Sequence, residues 1–378
     1  MRFGQAMSES NRSTSLTILN RAAMFVGLLM AACFSLAVSA DTMQGDAAGQ
    51  TGVAPLFADD SPLAVTIEAP LTTLMKDRPE EEYLNGKFSF TRDDGMKQTV
   101  DLKIRTRGKY RRQEEHCDFA PIRLNFRKKQ LIDTVFAGQD KLKMVTHCRT
   151  KTPYFEQLVL REYLAYRFLN VMTSKSYGVR LFQITYVDTE GAEPMTRLGF
   201  VIEDDGDVAA RNGLISVGTG DISSDDLDHA QQNLVDVFQY LIGNTEYSLV
   251  RSEPGQDCCH NSDLMSATGE APFTPLAYDF DFAGLVNAPY AAPNPRYRLR
   301  NVRQRLYKGL CRNNDLLPGT LQQFLDKKDA IYGLVENQVF LSSRSTRDVI
   351  RYLDTFYDRI SQPKSVKTSF IDRCNEAP

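Results

Sequence analysis

The sequence contains no G-x-S-x-G motif, and its four histidines, at 116, 147, 229 and 260, form no protease-like pattern. Hydrolysis through an activated serine therefore has no support. Charge of one sign is also lacking. The 45 Lys and Arg against 48 Asp and Glu leave a net charge of −3, so no global field draws in nucleic acid or an anionic membrane surface. Two basic runs, RTRGKYRR (105–112) and PRYRLRNVRQR (295–305), read as solvated, ion-paired faces rather than polyanion sites. Past residue 40 no segment is apolar enough to span a bilayer. There is no internal repeat and no low-complexity tract.

What is present is an ordinary globular balance, with 42% hydrophobic and 25% charged residues in 378, enough for one large domain or two smaller ones. Arg12 and Arg21 precede the apolar run AAMFVGLLMAACFSLAVSA (22–40), which ends in the small residues Val38-Ser39-Ala40. That is a signal-peptide pattern with cleavage near Ala40. The expected product is exported, periplasmic or extracellular, and tied to a membrane only if the segment stays uncleaved.

Six cysteines follow the cleavage site, at 117, 148, 258, 259, 311 and 374. An even count in an oxidising compartment reads as disulfides. We expect Cys117–Cys148, joining two strands, and a bridge from Cys258 or Cys259 to Cys311. Cys258-Cys259-His260 lacks the spacer of a zinc knuckle.

Period-two alternation predicts strands over 63–69, 86–92, 99–108, 121–126, 142–147, 179–188 and 196–204. Helical periodicity marks 155–173, 227–244, 300–311, 320–341 and 346–360, with Gly243-Asn244 as a C-terminal cap. The expected organisation is a signal peptide (1–40), a disordered lead-in (41–61), a sheet-rich part with one inserted helix (62–205), a helical part (206–362) and a tail (363–378).

Within the helical part, TPLAYDFDFAGLV (274–286) places Asp279 and Asp281 two apart in a strand-like apolar run. Two carboxylates on one strand face repel and resist burial unless a divalent cation neutralises them. Alternatively Asp279 caps a turn and Asp281 pairs with an arginine of the basic segment that follows. Upstream stand Glu246, in GNTEY, and Asn261. An acid, then an Asn, then an Asp on a strand is the order of parts in phosphoryl-transfer sites, where the acid orients the nucleophile and the other two hold metal.

The stretches KIRTRGKY (103–110), PIRLNF, LKMVTHC, EYLAYRFLN, RLGFVIED, GNTEY and PLAYDFDFAGLV carry a resemblance. Residues 62–290 resemble the CotH (spore-coat protein H) kinase-like family, an atypical extracytoplasmic branch of the protein-kinase fold. They are also similar to a group of exported bacterial proteins sharing an RG-x-x-RR…C…P-x-R-L-x-F arrangement. The resemblance implies an α+β, two-lobed kinase-like fold with an antiparallel-sheet N-lobe and a mainly helical C-lobe. It implies Mg²⁺ or Mn²⁺ and ATP as cofactors, with Asp279 or Asp281 as metal ligand and Asn261 as its partner. Glu246 takes the catalytic position. Arg123 or Lys143 would lie near the nucleotide phosphates, Glu162 would pair with that cation, and Arg107-Gly108 would approximate a phosphate loop.

This sequence departs from the family in three places. The acid after Gly-Asn is Glu246 rather than Asp, and a displacement of about 1 Å can cost about 10²-fold in rate. The PIRLNF cation is Arg123 rather than lysine, and no glycine-rich loop is present. Two functions follow as expectations. One is an exported phosphotransferase acting on a protein or small hydroxyl substrate. The other is a catalytically inactive envelope protein with a binding or structural role.

Overall fold

The computed structural model describes residues 52 to 376, so the signal-peptide reading lies outside the described residues. Seven strands close a sheet on itself, with one face of each in the barrel core and parts of β6 and β7 buried on both faces. They are β1 (Leu63–Ala69), β2 (Leu84–Thr91), β3 (Lys97–Thr106), β4 (Ile122–Phe126), β5 (Lys141–Val145), β6 (Val179–Asp188) and β7 (Met195–Ile202), in the barrel order β1-β2-β3-β4-β5-β7-β6. Ile67, Phe88, Ile104, Leu124, Leu142 and Ile184 belong to its core and are fully buried. Phe136, from the β4–β5 connection, packs edge-on against Phe88 with centroids 5.2 Å apart.

A smaller sheet has the order β10-β9-β8, from β8 (Ile215–Val217), β9 (Ser262–Ser266) and β10 (Thr274–Ala277). The helices are α1 (Leu71–Asp77), α2 (Tyr154–Met172), α3 (Asp205–Arg211), α4 (His229–Ile242), α5 (Leu317–Asp326), α6 (Lys328–Glu336), α7 (Ser343–Ile360) and α8 (Pro363–Ser369). On α7, Val349, Leu353, Phe356 and Ile360 recur at three- and four-residue spacing, and all are buried. Helix α4 starts on Asp228, whose carboxylate accepts from the Ala230 and Gln231 N–H groups, and ends on Gly243 at φ 67°. A Cβ at Gly243 would collide with Tyr352, so the expected cap is required twice over.

The expected two-lobed kinase-like fold, with an antiparallel-sheet N-lobe and a mainly helical C-lobe, is not what forms. The sheet is a closed mixed barrel in which β1 and β6 run parallel, and the described residues make one compact unit. Alternation along a strand fixes which face is buried, not which neighbour it takes. Here Val65 lies opposite Ile184 and Ile67 opposite Tyr186, all four buried, and that shared apolar face closes the barrel.

Other expectations also change. Segment 300–311 is not helical, because its cations are committed to tertiary partners. Arg303 pairs with Asp348 at 2.8 Å, and Arg305 donates to the Leu241 and Tyr352 carbonyls while lying over the Tyr352 ring. The helix expected over 320–341 breaks at Lys327 into α5 and α6. The lead-in packs from Pro55 onward, with Leu56 fully buried and Asp59 paired to Arg180 at 2.8 Å. The tail forms α8 and returns to Leu310.

The Cys117–Cys148 pairing is borne out, with Cα atoms 4.6 Å apart. The expected link from Cys258 or Cys259 to Cys311 is replaced by Cys258–Cys259 and by Cys311–Cys374, whose Cα atoms are 4.9 Å apart. The returning tail decides this, since the Cys311 N–H donates to the Asn375 carbonyl at 2.9 Å. Non-reducing peptide mapping should therefore recover Cys117–Cys148 and Cys311–Cys374. Each bridge should contribute about 3–4 kcal/mol. Free thiols at these four positions would refute the pairing. No helix among the described residues is long and apolar enough to cross a membrane.

Candidate functional site

Three turns gather the polar residues singled out in the sequence. After Gly243 the chain is turned by Asn244, whose Oδ1 accepts from the Glu246 N–H at 2.9 Å. Lys308 Nζ donates to the carbonyls on either side of Glu246, those of Thr245 (3.2 Å) and Tyr247. The Glu246 carbonyl itself accepts from Asn261 Nδ2 at 2.7 Å. Glu246 is thus fixed in place through its backbone.

Asn261 and Asp279 both adopt left-handed backbone, at φ 54° and 60°. Asn and Asp tolerate that region best among non-glycine residues, and backbone strain of this kind concentrates at functional sites. The strand expected to carry both aspartates stops at Ala277. Asp279 and Asp281 therefore stand in the turns beyond β10, not on one strand face. Helix α2 reaches them with two residues one turn apart. Tyr166 Oη accepts from the Asp279 N–H at 2.9 Å, and Glu162 pairs with Arg111 at 3.2 Å.

These residues line a pocket of about 370 Å³, with Arg107, Gly108, Tyr110 and Arg111 on one side and Glu246, Asn261, Asp279 and Asp281 on the other. Arg111 joins two buried carboxylates: its Nη1 faces Glu162 and its Nε faces Asp281, each at 3.2 Å. Tyr290 adds a hydrogen bond to Asp281 at 3.0 Å. Burial drives the Asp281 carboxyl well above the usual range, against the pull of Arg111. Burial likewise raises Glu162. Asp281 already has its counter-charge within the protein, supplied by Arg111 and not by the segment that follows it. Asp279 differs. Among the described residues its carboxylate enters no salt bridge and no hydrogen bond, and the amide-bonded Asn261 keeps its Oδ1 free.

Burial, then the neighbouring Asp279 and Glu253, lift Glu246 to about 7. A base of that pKa is balanced for proton transfer near neutral pH. Lys143 lines a small adjoining cavity with Arg107, Glu162 and Asp279, its Nζ 5.8 and 5.7 Å from the rings of Tyr177 and Tyr278. Arg123 lies beside Lys143 in the β4–β5 register but lines neither cavity. The pairing expected between Glu162 and Arg123 or Lys143 is replaced by Glu162–Arg111. Sequence reasoning missed Arg111, Tyr166 and Tyr290. The position of Tyr166 four residues after Glu162 was the one signal available for it.

Behind the Glu246 turn, Tyr247 donates to the buried Asp236 at 2.8 Å, and Asp236 Oδ2 has no partner among the described residues. Burial raises Asp236 from 3.8 to about 7. Because the folded pKa exceeds the unfolded one, the penalty for the charged form is absent below about pH 4, grows to pH 7 and is constant above. Asp236→Asn should therefore stabilise the protein by roughly 2–4 kcal/mol at pH 8 and leave it unchanged at pH 4. Urea midpoints at the two pH values measure this, and an equal change at both would contradict it.

No family model matches this chain, and no curated protein matches it either. Among the described residues there is no group of three or more His, Cys, Asp or Glu arranged to hold a metal.

Proposed function

We propose that this pocket is the phosphoryl-transfer site of an exported, CotH-like phosphotransferase. The observation that carries the reading is the convergence of Glu246, Asn261 and Asp279, from three separate turns, on one pocket with Asn261 bonded to the Glu246 carbonyl. Asp279 and the Asn261 Oδ1 fit a divalent cation, because one is a carboxylate outside any salt bridge or hydrogen bond among the described residues, with Arg107 as its neighbouring cation, and the other a free amide oxygen. Mg²⁺ is commonly held by one or two such groups together with phosphate oxygens and water. Bound there, the cation would neutralise phosphate charge. Arg107, at the pocket wall, and Lys143, beside it, would be the cations for the phosphates of ATP.

Glu246 would take the proton of the acceptor hydroxyl. Arg111, Glu162 and Tyr290 hold Asp281 and with it the 279–281 turn. The acceptor would be a protein or small hydroxyl substrate, and the cysteine pairs support an oxidising compartment.

The second reading, an inactive envelope protein with a binding or structural role, is favoured by one observation. Arg111 already neutralises two of the site's carboxylates. Thermal-shift titration separates the two readings. Phosphotransfer requires stabilisation by Mn²⁺ or Mg²⁺ with a nonhydrolysable ATP analogue, larger than with the cation alone, and phosphate transfer from ATP. Absence of both responses selects the inactive protein.

A further inference from the structure

The outer face of β3, β4 and β5 carries basic side chains, of which Lys143 turns to the cavity beside the pocket while the others line neither cavity. In register, Arg105 lies opposite Arg123, which lies opposite Lys143, and Lys103 lies opposite Asn125, which lies opposite Lys141. Like charges directly opposed across strands are destabilising. Internal ion pairing does not offset this, because Lys103, Arg105, Arg123, Arg127 and Lys141 enter no salt bridge among the described residues. Arg105 is held only by the Glu80 and Thr106 carbonyls and the Tyr83 ring, none of them an anion. Arg123 Nε is buried with no partner among the described residues. Asp101, on the same strand, is taken by Lys87 at 2.6 Å. A groove of about 640 Å³, larger than the pocket, opens beside these cations, lined by Lys87, Lys103, Asn125 and Arg127 together with Glu68 and Asp101.

We infer that this face binds an acidic polypeptide segment in extended conformation. Side chains two apart on a strand are spaced about 6.6 Å, and so are alternate carboxylates of an extended peptide. A peptide laid along β3 thus brings one carboxylate to each cation row. The cations span two rows and three strands, more than one small anion neutralises. Neither row carries an aromatic side chain on which bases would stack, which disfavours single-stranded nucleic acid. The barrel is closed, so recognition runs through side-chain charge and not through addition of a strand to an edge. Lys143 apart, the surface is separate from the proposed chemistry and is tested without it.

The test is fluorescence anisotropy of the whole mature protein with a labelled peptide of alternating glutamate and serine. A glutamine–serine peptide serves as control, and an oligouridylate of equal charge as competitor. The expected result is salt-sensitive binding of the glutamate peptide, absent with glutamine. It should weaken by about tenfold or more in the Lys103→Glu/Lys141→Glu double variant. Both lysines are exposed, so the double variant should fold. Arg123→Gln should also weaken binding while melting at or above the wild-type temperature, because an opposed charge is removed. Equal binding of the glutamine peptide, unchanged affinity in the folded double variant, or tighter binding of the oligouridylate would each overturn the inference.

Discussion

Replacing Arg111 with methionine should lower stability by about 3–5 kcal/mol at pH 8, the largest stability loss expected from any single substitution at the site. Arg111 is buried between Glu162 and Asp281, and its removal leaves two buried carboxylates, with Tyr290 still donating to Asp281 and no hydrogen bond left to the Glu162 carboxylate among the described residues. Methionine restores much of the volume, so the loss reports charge and not a cavity. The pH dependence distinguishes the cause. Both carboxyls are raised by burial, and without Arg111 they rise further, so each binds a proton in the folded state at a pH where the unfolded chain has lost it. Stability of the variant should then fall as pH rises through the neutral range and recover toward wild type at pH 5. Denaturant midpoints at pH 5 and 8 measure it. An equal loss at both would mean that Arg111 acts by packing. Tyr290→Phe, which removes one hydrogen bond to Asp281, should cost only about 1 kcal/mol.

The strands of the barrel were legible because each shows apolar alternation over its own length. Helices α2 and α4 were legible through periodicity and, for α4, the Gly243 cap. The closure was not legible. Pairing of β1 with β6 depends on Val65 meeting Ile184 across more than a hundred intervening residues, and nothing local encodes a partner at that distance. The same limit produced the error at 300–311. Its apolar spacing suits a helix, but Arg303, Arg305 and Lys308 gain more from Asp348, the Tyr352 ring and the Tyr247 carbonyl than from a helical surface.

At the site, Glu246, Asn261, Asp279 and Asp281 stood out because each is a polar residue beside an apolar run. Arg111 did not, since in RTRGKYRR every cation looks alike. Within that one run Arg107 lines the pocket, Arg111 is buried in an ion triad, Arg112 pairs with Glu80, and Arg105 sits on the basic outer face. Burial alone separates these roles, and burial is a property of the fold.

If the pocket transfers phosphate as proposed, the largest effect on activity is expected at Asp279 and Glu246. Asp279→Asn should abolish the stabilisation by Mn²⁺ with nucleotide, worth about 2.7 kcal/mol at a hundredfold excess over Kd in the wild type, and lower transfer by at least about 10²-fold. The metal-free variant should stay close to wild-type stability. Asn suits the left-handed backbone at this position, and removing the charge relieves repulsion with Glu162, Glu246 and Asp281 while giving up attraction to the buried Arg107. Glu246→Gln should behave oppositely, keeping the nucleotide-dependent shift while transfer drops by a factor of about 10²–10⁴. In the wild type the base must be deprotonated, so the rate should rise with pH through about 7, where burial places Glu246, and level off above it. Glu246→Asp retains a carboxylate but moves it by about 1 Å, to the length carried in the family the sequence resembles, so transfer should persist with the rise moved to lower pH. Loss of the shift in Glu246→Gln would make this residue a binding group. An unchanged pH profile in Glu246→Asp would assign the base to another side chain.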